Sequence, residues 1–172
     1  FSTDGNELFL GTSNGIVKLE ITKELFSKVD NHEFGYYCGL SVKDIFGTNW
    51  FTLESGLIGI SKQGEIFTLS SPSLFPSYLF YTLNTDNYGN LIIGTNKGLN
   101  LIQINDQGKI LRQRSFNAGT DFEGYETHMR SSFQEGNVAL VGTLEGMYQL
   151  DFNLMQDLPR PQKPVITLKS DV

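Results

Sequence analysis

The sequence is poor in the residues that most often do chemistry. Cysteine occurs once, at Cys38, in 172 residues, which excludes an internal disulfide and any zinc site built on paired cysteines. Histidine occurs twice, at His32 and His128, with no third ligand signalled nearby and no His-Glu-x-x-His pattern, so a metal site is not expected. Positive charge is scarce: 13 Lys and Arg stand against 19 Asp and Glu, a net charge of −6. Such a chain repels a polyanion, and no Lys/Arg cluster offsets this, so nucleic acid is excluded as a partner. No run approaches the roughly 18–20 apolar residues of a membrane span, and no signal peptide is present. The chain opens on Phe1, in the middle of a repeat unit, and therefore reads as an excerpt whose parent can carry targeting and membrane segments of its own. A single thiol fits a cytosolic protein and a disulfide-free periplasmic one equally.

Also missing is any apolar stripe of period 3.6 over ten or more residues, which argues against a helical solenoid. What the chain has instead is 18 Gly, 13 Phe and 7 Tyr, with 39% apolar and 19% charged residues. A packed core is within reach, and frequent Gly with many aromatics is what short strands joined by tight turns require.

Those residues fall into a repeat. One copy runs Asp4-Gly5-Asn6-Glu7-Leu8-Phe9-Leu10-Gly11-Thr12-Ser13-Asn14-Gly15-Ile16-Val17, a second Tyr88-Gly89-Asn90-Leu91-Ile92-Ile93-Gly94-Thr95-Asn96-Lys97-Gly98-Leu99-Asn100. A third runs Glu135-Gly136-Asn137-Val138-Ala139-Leu140-Val141-Gly142-Thr143-Leu144-Glu145-Gly146-Met147-Tyr148. A worn fourth copy, Asn49-Trp50-Phe51-Thr52-Leu53-Glu54-Ser55-Gly56-Leu57-Ile58, has Thr52-Leu53 in place of Gly-Thr. The closing glycines, Gly15, Gly56, Gly98 and Gly146, are spaced by 41, 42 and 48 residues, the period of a four-stranded propeller blade of about 40–50 residues.

The physics of one unit is legible. Gly-Asn ends a turn. The run after it is apolar at consecutive positions, as expected of a strand covered on both faces, which an inner blade strand has when neighbouring blades flank it. The Gly-Thr-x-x-Gly that follows predicts a short hairpin, so Gly11, Gly15, Gly56, Gly94, Gly98, Gly142 and Gly146 are read as structural turn residues. Outer strands are expected at about 65–69 and 109–116, and blade-opening strands at about 39–46, 78–84 and 128–134. The fold class is all-β, with about four four-stranded antiparallel blades belonging to a larger propeller.

Catalytic motifs are not found. There is no Gly-x-Ser-x-Gly, the Gly-Thr-x-x-Gly turns lack the Lys-Ser/Thr of a phosphate loop, and Asp86-Asn87-Tyr88-Gly89-Asn90 lacks the alternating ligands of a calcium loop. A β-turn held by an Asx hydrogen bond explains that segment fully. Cys38, after Tyr36-Tyr37, reads as a small buried strand thiol. Pro161-Gln162-Lys163-Pro164 reads as an extended linker. The residues selected for ligand binding are Tyr36, Tyr37 and Trp50, whose flat faces suit sugars, with Glu126, His128 and Arg130. If 128–134 is a strand, His128 and Arg130 share one face at the period of two. The same residues could instead brace blade against blade.

The phrase from Asp86 to Asn100 resembles the two-component regulator propeller repeat, which builds the extracytoplasmic sensor portion of bacterial histidine-kinase and hybrid two-component sensors. The family's aromatic in the Leu-Trp position is Ile92 here and Phe9 in the first copy. Phe122-Glu123-Gly124-Tyr125-Glu126-Thr127-His128 is similar to the stretch in the final blade of such sensors, with His128 where Asn is commoner. The tail from Leu158 to Leu168 resembles the exit strand toward an immunoglobulin-like domain, then a membrane helix and a kinase. The resemblance implies propeller blades over 1–157, with repeats centred near 4–20, 49–60, 86–104 and 135–151, and an exit strand or linker over 158–172. It implies a periplasmic, ligand-sensing and non-catalytic domain that takes no cofactor, with a small-molecule or oligosaccharide ligand and a membrane reached only through the parent. A propeller enzyme of lyase or lactonase type and a cytosolic protein-binding propeller are the other classes the blades could serve. Because four blades of a larger ring expose two apolar faces, self-association, as a homodimer, is a further expectation.

Overall fold

A computed structural model of the chain describes residues 2–21, 26–33, 37–70, 74–75, 77–117 and 126–153. The strands form four antiparallel sheets in chain order. Blade 1 contains β1 (Ser2–Asp4), β2 (Glu7–Thr12), β3 (Gly15–Ile21) and β4 (Phe26–Glu33). Blade 2 contains β5 (Ser41–Lys43), β6 (Asn49–Leu53), β7 (Gly56–Ile60) and β8 (Ile66–Leu69). Blade 3 contains β9 (Phe80–Thr85), β10 (Asn90–Thr95), β11 (Gly98–Ile104) and β12 (Ile110–Phe116). Blade 4 shows β13 (Thr127–Glu135), β14 (Val138–Thr143) and β15 (Gly146–Asp151) among the described residues. Each sheet is a plain meander, and the first strands pack successively, β1 on β5, β5 on β9 and β9 on β13. The expected opening and outer strands lie where the repeat puts them. The segment assigned to an exit strand, 158–172, lies outside the described residues.

Three apolar layers join the blades, and one position rule describes all three. Counting from the first position of the Gly-Thr-x-x-Gly stretch (Gly11, Thr52, Gly94 and Gly142), the residue two before it and the residue after the closing glycine point toward the next blade. The residues one and three before it point toward the previous blade. Thus Phe9 and Ile16 of blade 1 meet Phe51, Ile58 and Ile60 of blade 2, with Cys38 between them. Trp50 and Leu57 of blade 2 meet Leu91, Ile93 and Ile102 of blade 3, joined by Phe75 from the segment between those blades. Ile92, Leu99 and Leu101 of blade 3 meet Ala139 and Val141 of blade 4. Strict alternation across a pleated strand produces this two-sided burial, and the consecutive apolar residues of β10 are buried along its whole length.

The glycines divide into two kinds, which corrects their common assignment to turns. Gly15, Gly56, Gly98 and Gly146 do close two-residue hairpin loops with positive φ. Gly11, Gly94 and Gly142 lie within β2, β10 and β14 instead. What they supply is room. A Cβ at Gly11 would meet the Cys38 carbonyl, one at Gly94 the hydroxyls of Thr82 and Thr127, and one at Gly142 the Ser131 side chain. The Thr after each has a role the sequence did not disclose. Thr12, Thr95 and Thr143 each donate from Oγ1 to the carbonyl of the closing glycine, at 2.9, 3.1 and 3.0 Å. The same oxygens accept the N–H of Asn14, Lys97 and Glu145 inside the loop. Blade 2, with Leu53 at this position, buries an apolar side chain in place of that brace.

Cys38 is buried as expected, though in the connection between blades 1 and 2 and not in a strand. Its N–H donates to the Thr12 carbonyl at 2.8 Å, and burial pushes its thiol up to about 11.

Candidate functional site

In blades 2 and 3 the turn between the first and second strands is built around one buried aspartate. In blade 2, Asp44 Oδ1 accepts the N–H groups of Phe46 and Thr48, both at 2.9 Å, and Oδ2 accepts the indole Nε1–H of Trp50 at 2.8 Å. In blade 3, Asp86 Oδ1 accepts the N–H groups of Tyr88 and Asn90 at 2.9 and 2.8 Å, and Oδ2 accepts Asn90 Nδ2. Both carboxylates are buried. A carboxylate in that setting is stable only when charge-assisted hydrogen bonds replace its water, and three donors each supply them. Asn105 does the same for the turn between β11 and β12, accepting from Gln107 and Lys109. This is the Asx turn read from Asp86 to Asn90, present also at Asp44 and Asn105.

Where these turns converge, three blades enclose an open cleft of about 410 Å³. Blade 2 contributes Lys43, Asp44 and Ile45, blade 3 Thr85, Asp86 and Asn87, and blade 4 Gln134 and Gly136. The far wall is fixed to its neighbour: the Gln134 amide donates to the Thr85 carbonyl across the interface and to Gly136 within its own turn. Beside it, Tyr88 Oη donates to Asn153 Oδ1 at 2.6 Å, and Asn137 Nδ2 donates to the same oxygen at 3.0 Å. The rim is therefore held by hydrogen bonds within the protein that need no ligand. It is lined by a lysine, amide side chains and the exposed Ile45, the mixture of groups that fits a polar small molecule.

The residues selected from the sequence fall elsewhere. Trp50 is fully buried, its ring tilted against Phe67 at 6.3 Å and its only polar atom committed to Asp44. It is a core and turn residue and presents no face to a ligand. Tyr36 lies outside the described residues, and Tyr37 is 52% exposed. Glu126 is half-buried and accepts a hydrogen bond from Tyr81 across the blade 3–blade 4 junction. Burial, this bond and the carboxylate charge, in that order, raise the Tyr81 phenol above its usual range. His128 and Arg130 are exposed. They do not follow the strand alternation assumed for them, because β13 bulges. Thr127 pairs with Thr143 and Ser132 with Val141, so residues 128–131 stand opposite Gly142 alone, and Arg130 has φ 57°. Such a bulge re-aims side chains and breaks the period of two. Moreover, Thr127 sits at the hairpin end of blade 4 and Gln134 at the turn end. Glu126, His128 and Arg130 are therefore separated from the cleft by the length of β13.

The cleft residues Lys43, Asn87 and Gln134 were missed by the sequence reading. Their signal was positional: each lies within two residues of an Asp-x-x-Gly or Glu-Gly turn. Among the described residues, no group of three His, Cys, Asp or Glu side chains is placed to hold a metal ion.

No protein-family model matches the chain, and no curated protein matches it. Solved structures do. The extracellular domain of a protein described as a hybrid two-component system from B. thetaiotaomicron superposes with a TM-score of 0.66 at 19% identity, over 90% of this chain and 22% of that one. A second such extracellular domain from B. thetaiotaomicron gives 0.65 at 15% identity, over 94% of this chain and 22% of that one. A Bacteroides caccae protein of unknown function gives 0.50 at 17% identity, over 80% of this chain and 50% of that one. The chain thus spans about a fifth of the two extracellular domains, and what it shares with them is the fold: consecutive four-stranded propeller blades.

Proposed function

We propose that the chain is part of the extracytoplasmic, ligand-sensing propeller of a membrane-anchored two-component sensor, and that it recognises its ligand without transforming it. The observation that carries this reading is the superposition of nine-tenths or more of the chain on two extracellular domains of hybrid two-component systems. The Asp86–Asn100 repeat phrase, read independently from the sequence, supports the same assignment. The ligand is a small polar molecule, an oligosaccharide or its fragment, taken in the cleft that Lys43, Asn87 and Gln134 line at the meeting of blades 2, 3 and 4. Because three blades supply that lining, a ligand there prefers one relative blade arrangement over another. Signalling requires that differential affinity.

Two measurements test the proposal. The coding frame beyond Val172 should run into a further β-rich domain, an apolar stretch of about 20 residues and a kinase; a frame that continues into an enzyme domain overturns the sensor assignment. Thermal-shift screening of the 172-residue chain against oligosaccharides should find a stabilising ligand whose shift disappears in Lys43→Ala/Asn87→Ala. A shift lost instead in His128→Ala/Arg130→Ala would move the site to the hairpin end.

A further inference from the structure

Phe46 and Tyr88 hold the same place in their turns, two residues after Asp44 and Asp86, and each gives its N–H to that carboxylate. Both reach across to the next blade. A Cβ added at Gly89 of blade 3 would meet Phe46 Cε2 and Cζ at 3.0 and 3.2 Å. Tyr88 Oη meets Asn137 Nδ2 and Asn153 Oδ1, on blade 4, at 3.4 and 2.6 Å. There the likeness ends. Phe46 packs on the apolar core between blades 2 and 3, which is all that a bridge between blades requires. Tyr88 keeps 39% of its surface in solvent, although its N–H, carbonyl and hydroxyl are all hydrogen-bonded.

Its place beside the cleft is fixed at both ends. Tyr88 follows Asn87 of the blade 3 wall, and its hydroxyl lies on Asn137, which follows Gly136 of the blade 4 wall. The side chain therefore runs from one wall to the other. We infer that Tyr88 is a stacking platform at the edge of the cleft, on which a pyranose residue of a neutral oligosaccharide lays its C–H face. This inference rests on the cleft being the ligand site proposed above. A tyrosine anchored at both ends offers a broad, flat, amphipathic surface and has little rotamer freedom left to lose on binding. With the hydroxyl committed to Asn153, the exposed part left for a ligand is the ring. A sugar laid on it keeps its hydroxyls for the lysine and amides of the cleft. The net charge of −6 favours an uncharged saccharide over a polyanionic one.

Isothermal titration calorimetry of the 172-residue chain with xylotetraose, cellotetraose, mannotetraose and galactotetraose should find binding to at least one of them. Tyr88→Ala should weaken that binding about tenfold with an unchanged circular dichroism spectrum. Tyr88→Phe, which keeps the ring and loses the hydroxyl, should recover most of the loss. A residue that only bridges the blades predicts Phe as weak as Ala, since both lose the bonds to Asn137 and Asn153, and that result overturns the platform. Binding abolished by Lys43→Ala/Asn87→Ala yet unchanged in Tyr88→Ala overturns the platform and leaves the cleft in place. Binding that neither variant weakens overturns both. No binding to any of the four sugars overturns the pyranose assignment.

Discussion

The hairpins β10–β11 and β14–β15 carry nearly the same sequence phrase and live in different surroundings. Gly94-Thr95-Asn96-Lys97-Gly98-Leu99 and Gly142-Thr143-Leu144-Glu145-Gly146-Met147 make the same two-residue loop, held by the same threonine brace. Yet every residue of β10 is buried, whereas β14 alternates between buried and half-buried and β15 has no buried residue. Local geometry therefore comes from the repeat, while most of the stabilising burial comes from the neighbour, as in other stacked repeats. A phrase that is structurally complete in blade 4 is energetically half-finished there.

The largest test of this contrast pairs Leu99→Ala with Met147→Ala. Leu99 is 3% exposed between blades 3 and 4, so truncation leaves a cavity and should cost about 2–5 kcal/mol. Met147 should change stability by no more than about 0.5 kcal/mol. Urea unfolding at high dilution measures both, and equal losses would break the comparison.

A smaller difference is expected at the closing glycines. Gly98 has φ 108°, and a Cβ there would also run into the Phe116 carbonyl of the fourth strand, so Gly98→Ala should cost about 3 kcal/mol. Gly146 has φ 145° with open space around the added atom, so Gly146→Ala carries the backbone term alone, about 1 kcal/mol. The same unfolding experiment separates them.

The last effect concerns Cys38, which reports on the layer between blades 1 and 2. Burial raises its thiol from the ordinary 9.0 to about 11. The folded state thus holds the proton more tightly than the unfolded one. Its contribution is complete below pH 9, declines as the unfolded thiol ionises, and is lost by about pH 11. The unfolding midpoint should fall across that window in the native chain and less so in Cys38→Ala. Equal slopes would mean that the blade 1–blade 2 layer is open to water.

Much of the fold was legible because its information is local. Glycine spacing, consecutive apolar residues and Asx turns each dictate structure within a few residues, and Asp86–Asn100 adopts the turn, strand and hairpin expected of it. The site was less legible because it is assembled from three blades, and nothing in the neighbourhood of Lys43, Asn87 or Gln134 announces the other two. Trp50 misled for a physical reason. A large aromatic beside polar residues looks like a stacking platform, and only the fold reveals that Asp44 claims its N–H from within the core. His128 and Arg130 misled because a bulge in β13, set against Gly142, cannot be counted from a period of two.

The position rule also restricts how such a chain can change length. Along each inner strand, odd and even residues belong to different interfaces, so a single inserted residue would exchange their partners and turn each apolar layer inside out. Insertions can accumulate only where this parity is not read. The first and closing glycines keep the same separation in blades 1, 3 and 4, while the closing glycines themselves drift apart by 41, 42 and 48 residues. All of that slack lies outside the inner hairpins. It leaves the loops and the first strands as the parts free to acquire new lengths, while the packing of one blade on the next stays the same.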